Sequence, residues 1–249
     1  MQVIVDSLLT NYEQTGKGKD ILLLPGWGET LATFHDLQSA LRGSYLVTAL
    51  DLPGFGQTQA PAETWSLDNY AEFIAKFLKK TGVKPYAIIA HSNGGAIAMR
   101  GLANRSLKTS KLVLLASSGI RTEYRGRVKA IRIATKAGKA LAAPLPTNVK
   151  KRLRQKVYET VGSDMLVAEH LQDTFKKVVS DDVQADAGKL VLPTLLIYGD
   201  EDKAAPLAYG QKFHELIKGS QLEVVDGAGH FVHHDQPALV LRYIEEFLK

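Results

Sequence analysis

The chain has 249 residues, 45% of them hydrophobic and 23% charged, with no cysteine and a formal net charge of +5. That length suits one large α/β domain or two small ones with a substantial core, and the apolar fraction excludes a disordered chain. The lack of cysteine excludes disulfides, thiolate–zinc sites, iron–sulfur ligation and cysteine nucleophiles.

The opening Met1-Gln2-Val3-Ile4-Val5-Asp6 has no basic stretch followed by an apolar one, so no secretory leader is expected. The longest apolar runs, Ile21–Pro25 and Leu112–Ala116, are of strand length, far short of the roughly 20 residues of a membrane-spanning helix. A cytoplasmic protein without a transmembrane segment is the expectation. Val3–Val5 and Leu8–Gln14 read as a leading hairpin. Ile21–Leu24, Tyr45–Leu50, Tyr86–Ala90, Leu112–Ala116, Thr194–Tyr198 and Leu222–Val225 are near-continuous Leu/Ile/Val runs bounded by turn residues, the pattern of strands buried on both faces. Leu67–Lys80 carries apolar residues at helical spacing behind Ser66, an N-cap residue type. Ala96–Ala103, Leu207–Ile217 and Pro237–Leu248 follow the same logic. This alternation predicts an α/β fold with a mostly parallel central sheet and helices on both faces. From about Ile120 to Leu190 the rhythm breaks into basic and amphipathic helical sequence interrupted by Pro144 and Pro146. Residues 1–119 and 191–249 are thus expected to form the core, and 120–190 a helical insertion.

The charge is concentrated in that insertion. Residues 121–156 hold twelve of the 31 Lys/Arg and one of the 26 Asp/Glu (Glu123), a net of +11; the remaining nineteen bases and twenty-five acids leave −6. Helices such as Val128–Leu141 with lysines and arginines in water account for this. The alternative is a docking surface for an anionic partner or substrate. No nucleic-acid-binding module accompanies the charge, so nucleic acid is not an expected partner.

In a parallel sheet the reactive groups gather at the carboxyl ends of strands. Four such ends carry informative residues. Ala90-His91-Ser92-Asn93-Gly94-Gly95 sits between a strand and a helix, and a serine on so sharp a turn needs small residues two positions either side. Ala90 and Gly94 satisfy that need, and the helix N-terminus favours developing negative charge. An ordinary Ser/Gly-rich turn looks the same. Gly199-Asp200-Glu201-Asp202, followed by Pro206, offers a carboxylate to orient a histidine or is simply a solvated acidic turn. Gly227-Ala228-Gly229-His230 holds a histidine between flexible flanks, with His233 and His234 as rivals. Leu24-Pro25-Gly26-Trp27-Gly28 permits a backbone N–H to approach a ligand, or is a plain turn. The order along the chain is glycine loop, Ser, Asp, His, each at the end of a different strand.

On these residues the chain resembles the α/β-hydrolase fold superfamily, of the serine-esterase type with a helical cap. Asp51-Leu52-Pro53-Gly54-Phe55-Gly56 and the Gly199, Asp202 and Pro206 spacing are further landmarks in the expected order. Gly26-Trp27-Gly28 with the Asp51–Gly56 segment is similar to pimeloyl-carrier-protein methyl ester esterases. The resemblance implies Ser92 as nucleophile, His230 as general base and Asp202 as orienting acid. It implies the backbone N–H groups of Trp27 and Asn93 as an oxyanion hole, and neither metal nor cofactor. Asp51 precedes Ser92 and is expected to support the loop that follows it. The sequence departs from the family in having Ala90 where glycine is commoner and Pro25-Gly26 where members have His-Gly. The implied activity is cleavage of carboxylic esters of small acyl substrates. Lactonase, thioesterase and carbon–carbon bond hydrolase chemistry, or a ligand receptor or scaffold without turnover, are the alternatives.

Overall fold

The computed structural model describes residues 1–121 and 168–249. The expected helix Val128–Leu141, and the basic segment beyond Arg121, lie outside the described residues. Eight strands form one sheet among the described residues: β1 (Gln2–Val5), β2 (Leu8–Gly16), β3 (Lys19–Leu24), β4 (Tyr45–Leu50), β5 (Ala87–His91), β6 (Lys111–Leu115), β7 (Thr194–Gly199) and β8 (Gln221–Val225). Their order is β1-β2-β4-β3-β5-β6-β7-β8. β2 runs antiparallel to both its neighbours, and every adjacent pair from β4 to β8 is parallel. β4 lies on one side of β3 and β5 on the other, so the strand order reverses at the carboxyl ends of β3 and β5, where parallel sheets gather their ligands.

The continuous apolar strands are explained by helices on both faces. Leu22, Leu24, Ile88, Ala90, Leu112, Leu114, Leu196 and Tyr198 point to one side. They meet Tyr70, Ile74 and Phe77 of α2 (Leu67–Thr81), Ile97 and Met99 of α3 (Asn93–Ala103), and Phe213. The alternate residues Ile21, Leu23, Val47, Ala49, Ile89, Val113, Leu115 and Ile197 point to the other side. There they pack with Leu37 and Leu41 of α1 (His35–Leu41) and Val240, Ile244 and Leu248 near the carboxyl terminus. A fully buried side chain of this kind stabilises the fold by about 1.5–3 kcal/mol.

Local chemistry sets the helix limits. Ser66 Oγ accepts the Asn69 N–H while Asn69 Oδ1 accepts the Ser66 N–H, a reciprocal cap at the start of α2. α3 begins at Asn93, three residues before the expected Ala96, because the chain turns straight from Ser92 into the helix and Gly94-Gly95 mask its start. α1 has no counterpart in the sequence reading; its seven residues carry a single apolar i, i+4 pair, Leu37 and Leu41.

After the undescribed segment the chain returns through α4 (Gln172–Ser180) and α5 (Gln184–Ala187). Thr174 Oγ1 accepts the Trp65 N–H at 3.1 Å, His170 Nε2 lies 3.1 Å from the Gly54 carbonyl, and Phe175 packs on Trp27 at 5.1 Å. Arg100 of α3 bridges Asp68 of α2 and Asp186 of α5 at 2.6 and 2.7 Å. The sheet is completed by α6 (Leu207–Leu216), α7 (Val232–Asp235) and α8 (Pro237–Leu248). No helix among the described residues is long and apolar enough to cross a membrane.

Candidate active site

The turn after β5 holds Ser92 at φ 49° and ψ −117°, a left-handed conformation costly for a residue with a side chain. Four neighbours hold it there. Its N–H donates to the Leu115 carbonyl, and its own carbonyl accepts from Gly95 N–H, Ser118 N–H and, at 3.5 Å, Ser117 Oγ. Gly94 is needed two positions on, because a Cβ there would meet the Leu24 and Pro25 carbonyl oxygens. At Gly26 a Cβ would meet the Glu29 carboxyl group and lie 3.1 Å from Ser92 Cβ. The glycine loop and the serine therefore touch. The bond before Pro25 is trans, as are the others among the described residues.

Ser92 Oγ lies 2.9 Å from His230 Nε2, and His230 Nδ1 lies 2.7 Å from Asp202 Oδ2. An ionised carboxylate can only accept, so Nδ1–H donates to Asp202 and leaves the Nε2 lone pair facing the serine hydroxyl. Asp202 has no exposed side-chain surface, whereas His230 retains 21%. Asp202 Oδ1 accepts the Ala204 and Ala205 N–H groups at 2.7 and 2.9 Å, which locks the carboxylate plane. Gly199 lets the loop carrying His230 pass over the end of β7, where a Cβ would strike the Ala228 and Gly229 carbonyls.

The rivals are elsewhere. Asp200 accepts the Gly227 N–H at the surface and does not reach His230's ring. Asp51 accepts from Leu31 N–H, Gln57 N–H and the Asn11 amide, tying the loop after β4 to β2 and to the 3₁₀ turn (Leu31–Phe34) that precedes α1. His233 lies in α7, stacked on Phe34, with neither ring nitrogen in a hydrogen bond. Burial pushes its pKa down to about 2, helped by His91 and His234 and weakly opposed by the Thr33 backbone. His234 shares that helical turn.

Trp27 sits on the glycine loop, its ring edge-on to Phe55 at 4.9 Å, and Asn93 opens α3. Neither the Trp27 nor the Asn93 backbone N–H has a partner among the described residues, and both flank Ser92 in the chain or across the Gly26 contact. Tyr198, fully buried beneath, donates its hydroxyl to the Ser117 carbonyl at 2.8 Å, and burial holds its pKa far above the usual phenol value. No group of three or more His, Asp or Glu able to hold a metal occurs among the described residues.

Two buried polar residues escape the sequence reading. His91 Nδ1 lies 2.6 Å from Glu29 Oε1, and His91 Nε2–H donates to the His230 carbonyl at 2.9 Å. Burial raises the Glu29 pKa, but the hydrogen bond and charge of His91 outweigh it and leave the carboxyl below its usual range. Both residues stand inside or beside segments singled out above, yet no spacing links positions 29 and 91.

The chain is 28% identical, over 92% of its length and 78% of the relative's, to a pimeloyl-[acyl-carrier protein] methyl ester esterase of Neisseria meningitidis serogroup A. A membrane phospholipase A structure, described as a bacterial virulence factor, superposes with a TM-score of 0.79 at 22% identity, covering 100% of this chain and 84% of that one. The enol-lactonase of Burkholderia xenovorans LB400 superposes with a TM-score of 0.78 at 17% identity, covering 100% and 99%. Likeness at these identities speaks for the fold. The family model described as the alpha/beta hydrolase family matches residues 21–243, which take in the six strands from β3 to β8 but for the first two residues of β3, and the whole span from Trp27 to His230. The chain belongs to the alpha/beta hydrolase family.

Proposed function

We propose that the protein is a serine hydrolase that cleaves carboxylic esters of small acyl substrates, with Ser92 as nucleophile, His230 as general base and Asp202 as its orienting acid. The observation that carries this reading is the unbroken hydrogen-bond chain from Ser92 Oγ through His230 to Asp202, at 2.9 and 2.7 Å. Ser92 Oγ attacks the ester carbonyl carbon as its proton passes to His230 Nε2. Asp202 stabilises the imidazolium, and the Trp27 and Asn93 N–H groups hold the oxyanion. The tetrahedral intermediate expels the alcohol, which takes the proton from His230. Water then attacks the acyl-enzyme, its proton going to His230 and from there to Ser92. Loss of one oxyanion donor costs about 10²–10³ in turnover, so the glycine loop is a working part of the site.

Residues 120–190 serve in this reading as a cap over Ser92. Its support is the seating of α4 against Trp65 and Trp27 and of His170 against Gly54. The basic stretch at 121–156 gives that cap an affinity for an anionic substrate or partner, on charge alone. A cytoplasmic location belongs to the same reading, and cell fractionation tests it.

The test of the activity is a panel of p-nitrophenyl esters of increasing chain length, with lactones and thioesters alongside and Ser92→Ala as the blank. Ester turnover that vanishes in Ser92→Ala supports the reading. Full activity in Ser92→Ala refutes it. Preference for lactones or thioesters moves the substrate class within the same chemistry. Labelling of Ser92 without turnover of any acyl substrate marks a receptor or scaffold.

A further inference from the structure

Glu29 and His91 are buried, polar and idle in the mechanism above. The His91 side chain has no exposed surface and Glu29 only 10%. Their hydrogen bonds fix most of their protons. The His230 carbonyl can only accept, so His91 Nε2 carries a proton. The 2.6 Å separation of His91 Nδ1 and Glu29 Oε1 requires a second proton between them, on the ring or on the carboxyl. Either way the pair is neutral overall. That neutrality matters, because the His91 and His230 rings lie 4.8 Å apart and an unpaired charge on His91 would oppose the imidazolium that forms on His230.

The pair also joins three loops. Glu29 follows the glycine loop that carries Trp27, and its Oε1 occupies the space beside Gly26 that a Cβ would need. His91 directly precedes Ser92. The His91 bond ends on the backbone of His230. Two hydrogen bonds thus run behind the nucleophile from the oxyanion loop to the base, on the backbone side of His230, while Asp202 holds its ring.

We propose that Glu29 and His91 are positioning residues, a buried proton-sharing pair that sets the place of His230 relative to Ser92 and the glycine loop. This rests on the proposed roles of Ser92 and His230. A purely space-filling role predicts lost stability with intact turnover; positioning predicts lost turnover at intact substrate binding.

The experiment compares Glu29→Ala, Glu29→Gln, His91→Phe and the double variant Glu29→Ala/His91→Phe with the parent on p-nitrophenyl acetate. Active sites are counted by fluorophosphonate, and Tm is measured for each. Per active site, Glu29→Ala and His91→Phe are expected to lose about 10–100-fold in kcat, with KM moving less than about threefold. The double variant is expected to be no worse than the poorer single one by more than about threefold, because both break one chain. Glu29→Gln is expected to stay within about threefold of the parent, since its amide N–H can donate to His91 Nδ1 and the pair remains neutral. Parental kcat in Glu29→Ala and His91→Phe, or a rise in KM in place of the fall in kcat, overturns the proposal. If those two variants do not fold, Glu29→Asp, which draws the carboxylate back from His91, decides: a loss of about tenfold or more in kcat at parental Tm supports the proposal, and parental kcat overturns it. Ser92→Ala run in parallel separates the two claims, because full turnover there removes the catalytic reading itself.

Discussion

Replacing Asp202 by asparagine keeps the size and shape of the side chain but exchanges one acceptor oxygen for an NH₂ donor. In the parent, Oδ1 accepts two backbone N–H groups, from Ala204 and Ala205, and Oδ2 accepts His230 Nδ1–H. The single oxygen of asparagine can serve one side or the other. Facing His230, it turns its NH₂ onto the part-buried Ala204 N–H and the buried Ala205 N–H, and the buried donor loses its acceptor at about 1–3 kcal/mol. The amide therefore settles with its oxygen on Ala204 and Ala205 and its NH₂ toward Nδ1. His230 is forced into the tautomer with the proton on Nε2, which donates toward Ser92 and cannot take its proton. The preference of about 1–3 kcal/mol translates to a loss of about fivefold to 150-fold in kcat, at tenfold per 1.36 kcal/mol. Initial rates on p-nitrophenyl butyrate, normalised to folded protein, measure it. Asp200→Asn is the matched control and should change kcat little, because Asp200 contacts only a surface loop amide. An Asp202→Asn kcat within about threefold of the parent would refute the role given to this carboxylate.

Other expectations follow from single observations. His233 has its pKa lowered to about 2 in the fold, so the unfolded chain binds a proton at this site that the folded chain refuses. The stability this contributes is complete above about pH 6.5 and is lost as pH falls toward 2, about 2 kcal/mol of it between pH 7 and pH 5. Denaturant unfolding of His233→Phe at both pH values should show that much less acid sensitivity; an unchanged difference would contradict the burial argument. Gly94→Ala puts a Cβ against the Leu24 and Pro25 carbonyls, so it should lower stability by about 1–3 kcal/mol and displace the glycine loop, with kcat falling more than KM rises. Parental Tm and kcat together would show that the close approach is not needed. For the basic stretch at 121–156, kcat/KM on an anionic ester should fall between low salt and about 0.2 M as the Debye length shortens, while a neutral ester should not respond.

The sheet and the segments that bring Ser92, His230 and Asp202 together were legible in the sequence for definable reasons. Strands covered on both faces must be apolar throughout, so Ile21–Leu24 and Leu112–Leu115 announce themselves, and the turn residues that follow mark the ends where chemistry collects. Ser92 and Asp202 stand two and three residues from glycines that close packing demands, Gly94 and Gly199, and His230 follows the glycine-containing turn after β8. What stayed hidden depends on distant pairings. β2 runs to Gly16, two residues past the alternating pattern, because its register against β4 extends that far. α1 is too short for a helical period to register. Glu29 and His91 meet across 62 positions, and each alone reads as part of an ordinary turn.

The central claim is that Ser92 is the nucleophile of a working acyl-transfer site. Titration with a fluorophosphonate, with intact mass and peptide mapping run alongside ester turnover, tests it most directly. One label per chain, mapped to Ser92, with activity lost in proportion to labelling, is the expected result. A label on another residue, or ester hydrolysis that persists in fully labelled protein, would contradict it.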